Sequence, residues 1–394
     1  MARERRPPTP PHLFQSFWIG GFEAACHINA AGTRLDMIAA TQHDRQVGTD
    51  YALMKSLGMS TVRDAARWPL IESNGDFDFS SFAPMLAAAE ANDMQVMWTL
   101  CHYGWPEDVD LLGPEFPARF ARFAGAVARY VKSHSTRVPF YTPINEVSFL
   151  AWAAGDAGWF SPFGRGRGVE VKRNLVRAVI AACDAIWAED RRARIVHVDP
   201  VIHVMAPSTQ PDLTAAAEQQ RASQFEAWDM IAGIRDRELG GHPRYLDVMG
   251  VNFYHSNQWE FPDRRLRWED TPRDPRWVPL HRLLAEVYDR YRRPLFVAET
   301  SHFGVGRAAW LREVAAELWD AYGDGVPLEG LCLFPIIDRQ DWNDPNHWHN
   351  SGLWDIVRRD DGTLSRVLNE EYGQEVARSQ ALLARCGWGE VVEP

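Results

Sequence analysis

Along this 394-residue chain, short apolar runs alternate with longer stretches patterned for helices, and the cycle repeats eight times. The apolar runs fall at 17–20, 61–63, 94–101, 138–145, 194–199, 246–252, 295–298 and 330–334. Helical spacing occupies 50–58, 81–92, 116–133, 172–191, 222–238, 280–292, 308–322 and 366–385, and the first of these stops at Gly58, a residue suited to a helix C-terminus. Such alternation implies parallel strands joined by crossover helices. Eight units of that kind close on themselves as a (β/α)8 barrel, an α/β fold. No linker or change of composition interrupts the interior, so one barrel domain is expected over 13–394. A disordered tail is expected at 1–12, where Arg3, Arg5 and Arg6 run into Pro7, Pro8, Pro10 and Pro11. The long connections at 149–171, 255–278 and 338–365 are expected to build a rim.

A barrel of parallel strands gathers the C-terminal strand ends on one face, where such folds carry their chemistry. Those ends are polar here: Arg63, His102, Asn145, Glu146, Asn252, Tyr254 and Glu299 close successive runs, and Asp338 and Asp341 follow the eighth. A single polar residue after a strand is ordinarily loop solvation, and a salt-bridged carboxylate at the barrel mouth would explain Glu146 or Glu299 alone. Together they form a pair of strand-end carboxylates, the equipment of glycoside hydrolysis.

Composition narrows the partners. A formal net charge of −11 without a long basic run is poorly suited to nucleic acid or an anionic membrane. Prolines follow the N-terminal arginines where a signal peptide would be apolar. No stretch of about 18 apolar residues suggests a spanning helix. The five cysteines, at 26, 101, 183, 332 and 386, are odd in number and lack Cys-x-x-Cys spacing, which fits reduced thiols in a cytoplasmic protein. The 17 tryptophans mostly serve packing, with a minority available to stack on sugar rings. Oligomeric state is left open by the sequence.

Six motifs, in order and each after the expected strand, resemble those of glycoside hydrolase family one over most of the chain. The family's Thr-Phe-Asn-Glu-Pro is matched by Thr142-Pro-Ile-Asn145-Glu146-Val147, and its Ile-Thr-Glu-Asn-Gly by Val297-Ala-Glu299-Thr-Ser. Leu100-Cys-His102-Tyr103-Gly-Trp-Pro106 is similar to Leu-Tyr-His-Trp-Asp-Leu-Pro, and Val62-Arg63-Asp-Ala-Ala-Arg-Trp68 to Tyr-Arg-Phe-Ser-Ile-Ser-Trp. Asn252-Phe253-Tyr254 resembles Asn-Tyr-Tyr, and Phe334-Pro-Ile-Ile-Asp338-Arg-Gln-Asp341-Trp342 resembles Trp-Ser-Leu-Leu-Asp-Asn-Phe-Glu-Trp. The resemblance implies a retaining, exo-acting β-glycosidase for a small carbohydrate or glycoside. Glu299 would be the nucleophile, held ionised by Arg63 and Tyr254. Glu146, about 5 Å away, would be the acid/base, its pKa raised by burial and by the Glu299 charge. Asn145 would bind the sugar 2-hydroxyl, and His102, Asn252, Phe334, Asp341 and Trp342 the rest of the glycone. His27 falls where the family has a glutamine, with Glu23 competing for that job. No metal or other cofactor is expected.

Departures put the glycone in doubt: Val147 replaces a proline, Asp341 a glutamate and Phe334 a tryptophan, and the glycine after the nucleophile motif is lost. Asp341, Asp344, His347 and His349 are loosely compatible with zinc, although a rim loop explains them better. The Gly164–Gly168 stretch, with Arg165 and Arg167, lacks the Lys-Ser/Thr ending of a phosphate loop but could meet an anionic substrate. A transglycosidase would use the same two glutamates. A silent carbohydrate-binding barrel would be expected to lose one of them.

Overall fold

The computed structural model describes residues 13–388, so the tail expected at 1–12 lies outside the described residues. Eight strands form the centre: β1 Trp18–Gly21, β2 Thr61–Ala65, β3 Gln95–Cys101, β4 Phe140–Ile144, β5 Arg194–Pro200, β6 Val248–Asn252, β7 Leu295–Thr300 and β8 Leu328–Leu333. Each is parallel to the next, and β8 pairs with β1 to close the barrel. Strands buried on both faces read as continuous apolar runs rather than as alternation, and the Gln-Val-Met-Trp-Thr-Leu-Cys of β3 is buried at every position but its first.

Two cores follow. Inside the barrel, Ile19, Met97, Phe140, Val196, Val248 and Phe296 fill the space, among others. Phe14 closes the N-terminal end, edge-on to Phe296 at 5.1 Å and tilted on Phe140 at 5.5 Å. A Cβ on Gly250 would lie 2.6 Å from Ala298 and Val198, so only glycine fits that level. Outside, helices cover the strands. Phe116–His134 buries Phe116, Phe120, Phe123, Val127 and Val131, the stripe expected of a helix lying on a sheet.

Two expected helices change form. Residues 366–368 belong to a hairpin, Trp354–Arg358 with Leu364–Leu368. The last helix is Glu370–Ala384, whose first turn is capped by the Asn369 side chain accepting from Tyr372 N at 3.0 Å. A capping Asn followed by two glutamates is a strong start signal, and it overrides the helical spacing read further upstream. The stretch 222–238 is broken into Ser223–Phe225, Glu226–Ile231 and Arg237–Leu239, with Gly233 at φ +71° ending the middle piece. A further helix, Thr214–Ala222, precedes it. Among the described residues no helix is long and apolar enough to cross a membrane.

A buried charge network anchors β2. His43 bonds Asp50 at 2.7 Å and Asp64 at 2.9 Å, Tyr51 donates to Asp64, and Arg366 from the hairpin pairs with Asp50. Burial works against a charged His43, but the Asp64 and Asp50 carboxylates overcome it and push the pKa up to about 9. Successive strand residues face opposite ways, so Asp64 is held outside the barrel while Arg63 points in.

Candidate active site

Strand register sets the first contacts. Asn252 and Glu299 are Cα partners across β6 and β7, and Arg63 pairs with Gly21 across β2 and β1. Arg63 reaches across the barrel, donating from Nη1 to Glu299 Oε1 at 3.0 Å and to the Ala298 carbonyl at 2.7 Å, and from Nη2 to Asn145 Oδ1 at 2.9 Å. Tyr254 donates to the other Glu299 oxygen at 2.8 Å. Burial lifts the Tyr254 phenol far above its ordinary range, and the Glu299 charge adds to this, so it remains a donor. Glu299 is thus an ion-paired carboxylate with both oxygens bonded, 4% exposed.

Glu146 has different company. Asn252 Nδ2 donates to its Oε1 at 2.8 Å, and Tyr103 donates to Oε2 in a short hydrogen bond. No cation bonds it among the described residues. Burial pushes its pKa up and the Glu299 charge adds to this; the Tyr103 and Asn252 bonds pull the other way, leaving it at about 8. Both Glu146 and Tyr103 sit in left-handed backbone, at φ +48° and +66°. Non-glycine residues adopt that conformation at a cost where the surroundings dictate it. Here the Glu146 amide bonds the Val198 carbonyl of β5 as the chain turns from β4 into the helix Val147–Leu150.

The remaining expected residues divide. His102 is buried, with Nε2 3.6 Å from Glu23 and 3.4 Å from Asn145 Nδ2, and burial above all holds its pKa down at about 3, so the ring is neutral. His27 packs among Phe160 at 4.3 Å and Trp342 at 4.8 Å. Its Nδ1 and the Trp342 Nε1, the latter a donor only, are buried without partners. Burial keeps His27 neutral as well, with a pKa near 3. Phe334 lies in the barrel interior at 4% exposure, with the Arg63 guanidinium 5.4 Å from its ring centre. Gly21 flanks the same ring closely enough that a Cβ there would meet it at 2.3 Å. Little ring surface is left for stacking on a sugar.

Asp341 is engaged elsewhere: its carboxylate accepts from Asn343 N at 2.8 Å, Asp344 N at 3.2 Å and His349 Nε2 at 3.1 Å. Asp338 holds the same rim segment by accepting from Ser351 N. Asp341, Asp344, His347 and His349 do not converge as metal ligands. Arg167 pairs with Glu170, and Asp156 accepts from Gly168 N, so the helix start that a phosphate would use is already occupied.

Two residues of the site were not singled out from sequence. Tyr103 bonds Glu146 and accepts from Asn145 Nδ2 at 3.0 Å. Arg339 pairs with Glu23 at 3.5 Å and lies 5.6 Å from the Trp342 ring centre. The position of Tyr103 directly after His102 was the available signal.

No protein-family model and no curated protein matches this sequence. Solved structures do match. A family 1 β-glucosidase from Thermotoga maritima superposes with a TM-score of 0.75 at 16% identity, covering 96% of this chain and 99% of that one. The β-glucosidase of the same organism in complex with glucoimidazole gives 0.74 at 16% identity, over 96% and 99%. In complex with deoxynojirimycin it gives 0.75 at 16%, over 95% and 99%. At this identity the shared property is the (β/α)8 fold.

Proposed function

We propose that this chain is a divergent member of glycoside hydrolase family one, a retaining, exo-acting β-glycosidase in which Glu299 is the nucleophile and Glu146 the acid/base. The observation that carries the reading is the contrast between the two carboxylates. Glu299 is paired with Arg63 and Tyr254, whereas Glu146 is buried without a cation and retains its proton near neutral pH. A carboxylate held by a cation suits the nucleophile, and a buried carboxyl that keeps its proton suits the acid.

Glu299 attacks the anomeric carbon as Glu146 gives its proton to the leaving oxygen. The glycosidic C–O bond breaks and a glycosyl ester forms on Glu299. Esterification removes the Glu299 charge, which after burial is the largest cause raising the Glu146 pKa. Glu146, now ionised, takes a proton from water, which attacks the ester and frees both the sugar and Glu299. The protein's own groups suffice for both steps.

His27, His102 and Trp342 would meet glycone hydroxyls, and an Asn145 bond to the 2-hydroxyl would draw Nδ2 from Tyr103. With Asp341 committed to the rim and Phe334 covered, the glycone differs from glucose at the outer hydroxyls. An aromatic series leads outward from Tyr103 through Phe149 to Trp152 and Trp159, 43% and 54% exposed, and offers the aglycone a wall. Five buried, unpaired cysteines support a cytoplasmic location. The β-glucosidase of the same fold is known in complex with glucoimidazole and with deoxynojirimycin, which supports a small ligand here. The test is a panel of nitrophenyl β-glycosides with the first-formed anomer read by NMR. Hydrolysis of one member with retention is expected, and inversion or complete inactivity overturns the reading.

A further inference from the structure

His255, Glu269 and His302 bring potential ligand atoms within 4.8 Å of one another, the metal-capable cluster found among the described residues. His255 directly follows Tyr254, His302 comes three residues after Glu299, and Glu269 stands in the rim connection 255–278. We propose that these three side chains form a divalent-cation site of the zinc type, two imidazoles and one carboxylate, with a further position left for water.

The donor set is right for zinc, which takes imidazole nitrogen and carboxylate oxygen at about 2.0–2.2 Å. Tetrahedral ligands at that radius stand roughly 3.4 Å apart. His302 Nε2 and Glu269 Oε1 are already 3.0 Å apart, so only His255 has to close in. His255 is buried and its Nδ1 has no partner, an unusual state for a polar atom in a folded interior. Burial, and next the neighbouring His302, lower its pKa to about 4, which leaves the ring neutral and able to ligate.

The surroundings prepare His302 for either state. Its Nδ1 lies 2.7 Å from Phe303 N and 3.0 Å from the Phe303 carbonyl. It can accept from the amide while Nε2–H donates to Glu269. It can equally donate to the carbonyl, which frees the Nε2 lone pair for a metal. Donation from the second ring nitrogen to a carbonyl is the usual support for a ligating histidine. Gly306 makes room for this, since a Cβ there would lie 2.3 Å from Nδ1.

Glu269 is exposed, yet its segment is clamped. Trp268 donates to Glu313 at 2.9 Å, and Arg273 pairs with the same carboxylate at 2.6 Å. Trp268, Phe303 and Trp310 enclose the imidazoles with ring centres 5.1–6.2 Å away, an apolar shell that limits solvent access. The Arg265 charge also reaches His255, and the Glu269 carboxylate offsets it. An ion here would tie the rim connection after β6 to the loop after β7. It has no part in the two-glutamate chemistry and does not depend on it.

The test is calorimetric titration of chelator-stripped full-length protein with zinc chloride, paralleled by the visible spectrum of the cobalt(II) form. One equivalent of zinc is expected, with strong tetrahedral cobalt bands and a change in tryptophan emission from Trp268. Glu269→Gln and His302→Ala should each weaken binding by more than about tenfold, since even loss of an outer partner costs about 10–100-fold. His347→Ala/His349→Ala should leave it unchanged. Absence of zinc binding, equal binding in Glu269→Gln, or loss in the His347/His349 variant overturns the proposal. Should His302→Ala misfold, Glu269→Gln and the wild-type cobalt spectrum decide, and weak octahedral bands count against it.

Discussion

Tyr103→Phe removes one hydroxyl from Glu146 and leaves the ring in place against His102 at 4.6 Å and Trp342 at 5.9 Å. The hydroxyl donates to Glu146 Oε2 and so favours the ionised carboxylate. A hydrogen bond to a charged group is worth about 1.5–3 kcal/mol, and 1.36 kcal/mol corresponds to one pKa unit. Loss of the bond should therefore raise the Glu146 pKa above about 8 by roughly one to two units. The lower end is favoured because Glu146, once protonated, can donate back to the phenol oxygen. The acid/base must hold its proton to begin the reaction, so kcat/KM falls as pH rises through this pKa. The basic limb should accordingly move upward, and the variant at pH 9 should keep a larger fraction of its own maximum than wild type. Initial rates against pH on the best glycoside of the panel measure it. A basic limb that stays put or moves down refutes the assignment of that limb to a Tyr103-bonded Glu146.

Glu299→Ala should abolish hydrolysis, with added azide or formate restoring turnover to a product of inverted configuration; inverted rescue in Glu146→Ala instead would exchange the two roles. His43 has its folded pKa raised to about 9, so the stability it contributes is complete below its unfolded pKa and is lost as pH rises through 9. With an unfolded value near 6.5, that contribution is of order 3 kcal/mol. Urea melts should show stability declining between pH 6.5 and 9, and a decline that persists unchanged in His43→Asn would exclude this origin. Asp341→Asn should alter kcat/KM by less than roughly threefold, the scale of substitutions outside a key contact; a hundredfold loss would place that carboxylate on the sugar.

The barrel was legible because parallel strands buried on both faces leave uninterrupted apolar runs, and their ends carried Arg63, Asn145, Glu146, Tyr254 and Glu299. These residues do converge, since closing eight parallel strands admits little freedom in where the ends lie. The hairpin Trp354–Arg358 with Leu364–Leu368 was read as rim and helix because its strands are short and Arg366 falls at helical spacing. Its Arg366 pairs with the remote Asp50, which no local pattern shows. Asp341 was placed on the sugar by position in a motif, but its neighbours Asn343, Asp344 and His349 claim the carboxylate. Beyond its place after His102, no sequence pattern marks Tyr103, because its left-handed backbone, which aims the phenol at Glu146, is a product of tertiary contact. The His255, Glu269 and His302 cluster joins two loops and follows no sequence spacing.

The central claim is that Glu299 forms a covalent bond to the sugar while Glu146 moves the proton. Once the panel identifies the glycone, its 2-deoxy-2-fluoro derivative with a good leaving group should trap the intermediate, because the fluorine slows both steps while the good leaving group speeds attack alone, so the ester accumulates. Peptide mass spectrometry should then find one glycosyl unit on the peptide containing Glu299, attached to that residue. A label on Glu146, or continued hydrolysis with no labelled peptide, would contradict the account.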